Sequence, residues 1–157
     1  MTIREIRRNE SAPVTDLYLE MCRVLAEADA DWGVPDRDPI HRWILRTMES
    51  DDAVCLVSDV EGVIIGFLLA SVARHPAMPG VLGTLEEVHV RPREGENLKP
   101  ELVEEGIVWA RDRGASPIQT SVGMDSPWAD EELSFWKSMG FEHDQALVTR
   151  YFAAEGC

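Results

Sequence analysis

Apolar residues recur along this chain at two spacings, and the changes of spacing divide it into elements. A short apolar stretch carrying Ile3 and Ile6 reads as a strand. After Ser11 and Pro13, residues Val14, Leu17, Tyr18, Met21, Cys22 and Leu25 fall on one face of a helix. A loop with Trp32, Gly33 and Pro35 follows. Asp38 then reads as the N-cap of a second helix, with Pro39 in its first position and Ile40, Trp43, Ile44 and Met48 on its apolar side.

The spacing then changes to that of strands. Ala53 to Asp59 and Val63 to Ala73 are rich in Val, Ile, Leu and Phe, and Glu61-Gly62 between them reads as a hairpin turn. Residues 75–83 contain Pro76, Pro79, Gly80 and Gly83 and read as a loop, after which Leu85 to Val90 resumes as a strand. Asn97 is the expected cap of a third helix with the stripe Leu98, Leu102, Val103, Ile107 and Ala110, ended by Gly114. Ile118 to Val122 reads as a strand. Ser126 and Pro127 open a fourth helix bearing Leu133, Phe135, Trp136 and Met139, which Gly140 stops, and Ala146 to Phe152 reads as a last strand. The order predicts one α/β domain over 1–157: a central mixed sheet flanked by about four helices.

Composition narrows the function classes. Among 157 residues, 45% are apolar and 28% charged, an ordinary globular balance, and no apolar run approaches the ~20 residues of a membrane span. The opening MTIREIRRNE has no signal-peptide character, so the expectation is a cytoplasmic protein. Cys22, Cys55 and Cys157 are too scattered for a disulfide framework, and neither they nor His41, His75, His89 and His143 show metal-ligand spacing; no metal is expected. The net charge of -14 argues against nucleic acid and anionic membrane as partners and for a cationic small molecule; it leaves room for a homodimer. The G-x-S-x-G, G-x-x-x-x-G-K-[ST] and H-E-x-x-H patterns are absent, which removes common hydrolase, nucleotidase and zincin readings.

Three strings carry a family resemblance: Asp59-Val60-Glu61-Gly62-Val63-Ile64-Ile65-Gly66-Phe67, Leu85-Glu86-Glu87-Val88-His89-Val90-Arg91-Pro92 with the following helix to Gly114, and Phe135-Trp136-Lys137-Ser138-Met139-Gly140-Phe141. Together they resemble the GNAT N-acetyltransferases over nearly the whole chain. The resemblance implies that acetyl-CoA is the co-substrate, held by Val88, Val90, the loop Arg93, Glu94, Gly95, Glu96, Asn97, Leu98 and Lys99, and Trp136. In the family this loop reads approximately Arg-Gly-x-Gly-Ile-Gly; here Gly95 is its only glycine and Pro100 removes an amide donor. Arg91, Arg93 and Lys99 against Glu94 and Glu96 leave one surplus positive charge for a phosphate at the helix end.

Acetyl transfer also needs a neutral amine and a group to take its proton. Polyamine acetyltransferases of this superfamily carry a base where Glu86 stands, so Glu86 is the first choice. Strand alternation would turn Glu87 and His89 to the opposite face, making them weaker catalytic candidates. Trp136 stands where the family often has a tyrosine that protonates the leaving thiolate. Trp32, Trp43 and Asp31 lie where the family builds its acceptor pocket, and aromatic walls beside carboxylates suit an ammonium group. The irregular loop and the missing tyrosine also define a rival: a module with this fold that binds a ligand or partner without turnover.

Overall fold

The computed structural model describes residues 1–29, 31–74, 76–77, 79–92, 98–124 and 126–143. Its sheet has five strands in sequence order: β1 Thr2–Glu5, β2 Ala53–Val60, β3 Val63–Arg74, β4 Val81–Val90 and β5 Ala115–Thr120. The first three pairings are antiparallel and the fourth is parallel. Four helices complete the described elements: α1 Ser11–Ala28, α2 Arg37–Glu49, α3 Leu98–Asp112 and α4 Ala129–Ser138. The parallel pair requires a crossover, which α3 supplies.

Alternation along β2 and β3 sends their side chains to two cores. Cys55, Val57, Phe67 and Leu69 pack with Val14 and Leu17 of α1 and Ile44 of α2. Leu56, Leu68, Ala70, Val72 and Leu85 pack with Leu102, Val103, Trp109 and Ala110 of α3 and Trp136 of α4. Both faces are covered, which explains why these strands read as unbroken apolar runs. The hairpin turn is as the sequence predicts: Glu61 and Gly62 both have positive φ, 53° and 87°, and the Gly62 amide donates to Asp59 Oδ1 at 2.7 Å.

Several boundaries differ from the sequence reading. α2 starts at Arg37 behind Asp36, so Asp38 lies in the first turn as an acid complementing the helix dipole. β4 begins at Val81, with Gly83 inside it rather than in a loop. A Cβ on Gly83 would stand 3.0 Å from Ala115 Cβ, 3.1 Å from Ile118 Cγ1 and 3.3 Å from Ala110 Cβ; this glycine lets β5 and α3 approach β4 closely. β5 runs from Ala115 to Thr120 and excludes Val122, and α4 begins at Ala129 behind Trp128. The expected strand from Ala146 to Phe152 and the cap Asn97 lie outside the described residues.

Two irregularities set up the site. The β3–β4 register passes from Leu69↔Glu87 to Ala70↔Leu85, leaving Glu86 as the extra residue of a β-bulge. The β4–β5 ladder ends at Leu85↔Thr120, whereas β4 continues against β3 to Gly66↔Val90. Thr120 Oγ1 closes the ladder by donating to the Leu85 carbonyl at 2.9 Å. From Glu86 to Val90, no described strand lies along the β5-side edge of β4.

Candidate active site

The bulge overturns the alternation expected for β4. Ser71 shares the α1/α2 face with Phe67 and Leu69, and its hydroxyl donates to Glu86 Oε1 at 2.8 Å. Glu87 pairs with Leu69 and His89 with Phe67 on that same face. Glu86, Glu87 and His89 therefore stand together, because two bulged residues oppose one partner and the period of two slips.

Among the three, Glu86 is exposed and Glu87 partly buried. Burial pushes the Glu87 carboxyl up to about 7, with the charges of Glu86 and Glu132 adding to the effect. No hydrogen bond or ion pair reaches Glu87 among the described residues. Four other partly buried carboxylates each meet a cation: Glu10 and Asp59 meet Arg4 at 2.8 and 2.7 Å, Glu20 meets Arg91 at 2.9 Å, and Glu132 meets Lys99 at 2.7 Å. His89 Nε2 is buried without a hydrogen-bond partner among the described residues. Burial holds the imidazole below its ordinary pKa; Glu20 opposes this, while Lys99 and Arg91 reinforce it.

Sequence reasoning missed Tyr18. Its ring meets Trp43 edge-on at 5.7 Å and tilts over Phe67 at 6.0 Å, and Phe67 in turn lies 6.2 Å from the His89 ring. These rings line α2, α1, β3 and β4 in succession. Burial raises the Tyr18 phenol, and the charge on Glu87 and the Cys22 thiol add to it, so the hydroxyl and the carboxylate share one environment. The helical stripe of α1 was visible in sequence, but only its docking on β3 brings Tyr18 against Phe67 and within the field of Glu87. Trp43 joins this wall. Trp32 is 45% exposed and Asp31 is exposed too; among the described residues no ring contact or hydrogen bond joins either to Trp43.

On the opposite face, Val88 and Val90 pack their side chains against the α3-side core, and their backbone lies along the part of β4 beyond the end of β5. Arg93, Glu94, Gly95, Glu96 and Asn97 lie outside the described residues. Leu98 and Lys99 form the first turn of α3. The two described cations of this segment each meet a carboxylate: Arg91 pairs with Glu20 through two nitrogens, and Lys99 with Glu132. Trp136 is 4% exposed and packs edge-on against Phe135 and Phe141, each at 5.1 Å. Its buried Nε1 has no acceptor among the described residues.

A cleft of about 590 Å³ lies elsewhere, lined by Glu49, Val54, Trp109 and Arg113 among others, and includes none of the candidate residues. Among the described residues, no three His, Cys, Asp or Glu side chains group to hold a metal, and no helix is long and apolar enough to cross a membrane.

No family model matches the sequence, and no curated protein is similar to it. Solved structures are similar in shape. A transcriptional regulator from Bacillus halodurans is 20% identical, with 96% of this chain and 99% of that one covered and a TM-score of 0.72. The aminoglycoside N-acetyltransferase AAC(6')-Iy in complex with CoA is 15% identical, covers 98% of this chain and 95% of its own, and has a TM-score of 0.74. An aminoglycoside acetyltransferase from an uncultured soil metagenomic sample, in complex with sisomicin, is 14% identical over 98% and 96%, with a TM-score of 0.71. With its mixed five-stranded sheet and four helices among the described residues, the chain has the fold of the GNAT N-acetyltransferases.

Proposed function

We propose that this protein acetylates a primary amine of a small cationic acceptor, with acetyl-CoA as co-substrate, and does so in the cytoplasm. The observation that carries this reading is Glu87, a partly buried carboxylate with no cation of its own among the described residues and a pKa of about 7. A protonated amine entering between α1 and β4 would supply the missing charge, and the ionised carboxylate would then take a proton from it. The net reaction consumes an ammonium ion and a thioester and yields an amide, a free thiol and one proton, so a group near neutrality on the amine's side meets the requirement.

The residues present fit an acyl-CoA. The edge of β4 from Glu86 to Val90, which no strand flanks on the β5 side among the described residues, offers backbone groups to an extended amide-bearing chain. The α3 N-terminus at Leu98 and Lys99 favours an anion, and Trp136 Nε1, without an acceptor among the described residues, offers a buried donor. When bound, this co-substrate supplies the activated acetyl group. Tyr18 and Trp43 line the acceptor side, and Glu86, tied to Ser71, adds negative charge at its rim. The proteins of the same fold solved with CoA and with sisomicin support a CoA-type co-substrate and an aminoglycoside-like acceptor, and the net charge of -14 suits a polyamine-like one as well.

The test compares Glu87→Gln with Glu86→Gln by thiol release with a polyamine acceptor. The expected result is a fall in kcat of about 10² to 10⁴ for Glu87→Gln and a much smaller fall for Glu86→Gln, with CoA affinity unchanged in both. Equal turnover in Glu87→Gln and the unsubstituted protein across the pH range would remove Glu87 from this role.

A further inference from the structure

The contact between Lys99 and Glu132 joins the two halves of the site. Lys99 stands in the first turn of α3, where the helix dipole favours an anion. Its Nζ nevertheless lies 2.7 Å from Glu132 Oε1 and 4.3 Å from the centroid of the Phe135 ring, so both of its partners belong to α4. The side chains of the pair are 24% and 39% exposed, which puts the contact within reach of solvent and competing ions. Glu132 is also one of two carboxylates whose charge is felt at Glu87. One residue thus pairs with the lysine at this helix end and acts through its charge on the carboxylate of the acceptor side.

On the reading proposed above, we infer that Lys99 is an exchangeable counter-ion, passed from Glu132 to an anion bound at the α3 N-terminus, and that the released Glu132 carboxylate then helps to hold the cationic acceptor. A pyrophosphate carries more negative charge than one carboxylate and meets the helix dipole as well, so it competes successfully for the ammonium. Once Lys99 has moved, the charge on Glu132 is no longer neutralised. Binding of CoA and binding of a cation are then positively coupled, each strengthening the other by the same factor.

The experiment is calorimetric titration of CoA into the full chain as the natural protein, Glu132→Gln, Lys99→Met and the double variant. Glu132→Gln should bind CoA about 1.5- to 5-fold more tightly, because an exposed ion pair of this kind no longer competes for the lysine. Lys99→Met should weaken binding, and in the double variant the gain from Glu132→Gln should vanish. With spermidine as the cationic probe, CoA should tighten its binding to the natural protein and leave it unchanged in Glu132→Gln. Unchanged or weaker CoA binding by Glu132→Gln, or a gain that persists without Lys99, would overturn the exchange while leaving acetyl transfer in place. A natural protein that binds no CoA would overturn both. Melting curves verify that each variant is folded, and Lys99→Gln replaces Lys99→Met should the latter not fold.

Discussion

Glu87 gives the proposed chemistry a signature that needs no substrate. Its carboxyl has an ordinary pKa of 4.5 and one of about 7 in the fold. Between these values the native state binds more protons than the unfolded chain, so the Glu87 contribution to stability falls as pH rises from 4.5 to 7. Glutamine imitates the neutral acid. Glu87→Gln should therefore melt with the natural protein below about pH 4.5 and above it at pH 8, by on the order of 2 kcal/mol. Equal melting temperatures at pH 8 would show that the carboxylate is better solvated than its burial implies. For the same reason the acylation rate should climb as pH passes through about 7, where the base becomes ionised. The sequence reading named Glu86, Glu87 and His89 but ranked Glu86 first. Glu86 stood first through the family resemblance, and strict alternation set Glu87 and His89 back; the bulge at Glu86 breaks that alternation and arises from pairing with Leu69 and Ala70, partners that a local pattern does not reveal.

At the scale of elements, the order of helices and strands over the described residues was legible, because helical stripes and apolar strand runs are properties of short windows. The Glu61-Gly62 turn was legible for the same reason. Its conformation still asks Glu61 to hold a φ of 53°, which asparagine adopts more readily, so Glu61→Asn should raise the melting temperature by the equivalent of about 0.5 kcal/mol. No rise in thermal unfolding would count against that turn geometry. Gly83 was misread as a breaker, since a glycine required for close approach looks in sequence like one required for a turn. Its neighbours Ala110 and Ala115 present Cβ atoms that cannot rotate aside. Gly83→Ala should separate β4 from β5 and cost about 1–3 kcal/mol on denaturant unfolding; an unchanged midpoint would contradict the packing described. The placing of Tyr18 within the field of Glu87, and the meeting of Lys99 with Glu132, depend on how α1 and α4 dock and have no sequence-local signal.

The whole chain carries a net charge of -14, and on the acceptor side Glu86 and Glu87 stand on one face of β4. Such a surface concentrates cations, and salt screens the attraction beyond a Debye length of about 8 Å at physiological ionic strength. Acceptors with two or more positive charges should therefore have Michaelis constants that rise with salt. The most direct measurement is release of free thiol from acetyl-CoA across polyamines, aminoglycosides, neutral amines and acidic amino acids, each at low and high salt. The account predicts turnover above the rate of thioester hydrolysis, fastest with polycationic amines and weakened by salt through KM. Neutral or acidic amines that matched or exceeded them at both salt concentrations would contradict the cationic acceptor, and thiol release that no amine accelerated would contradict acetyl transfer itself.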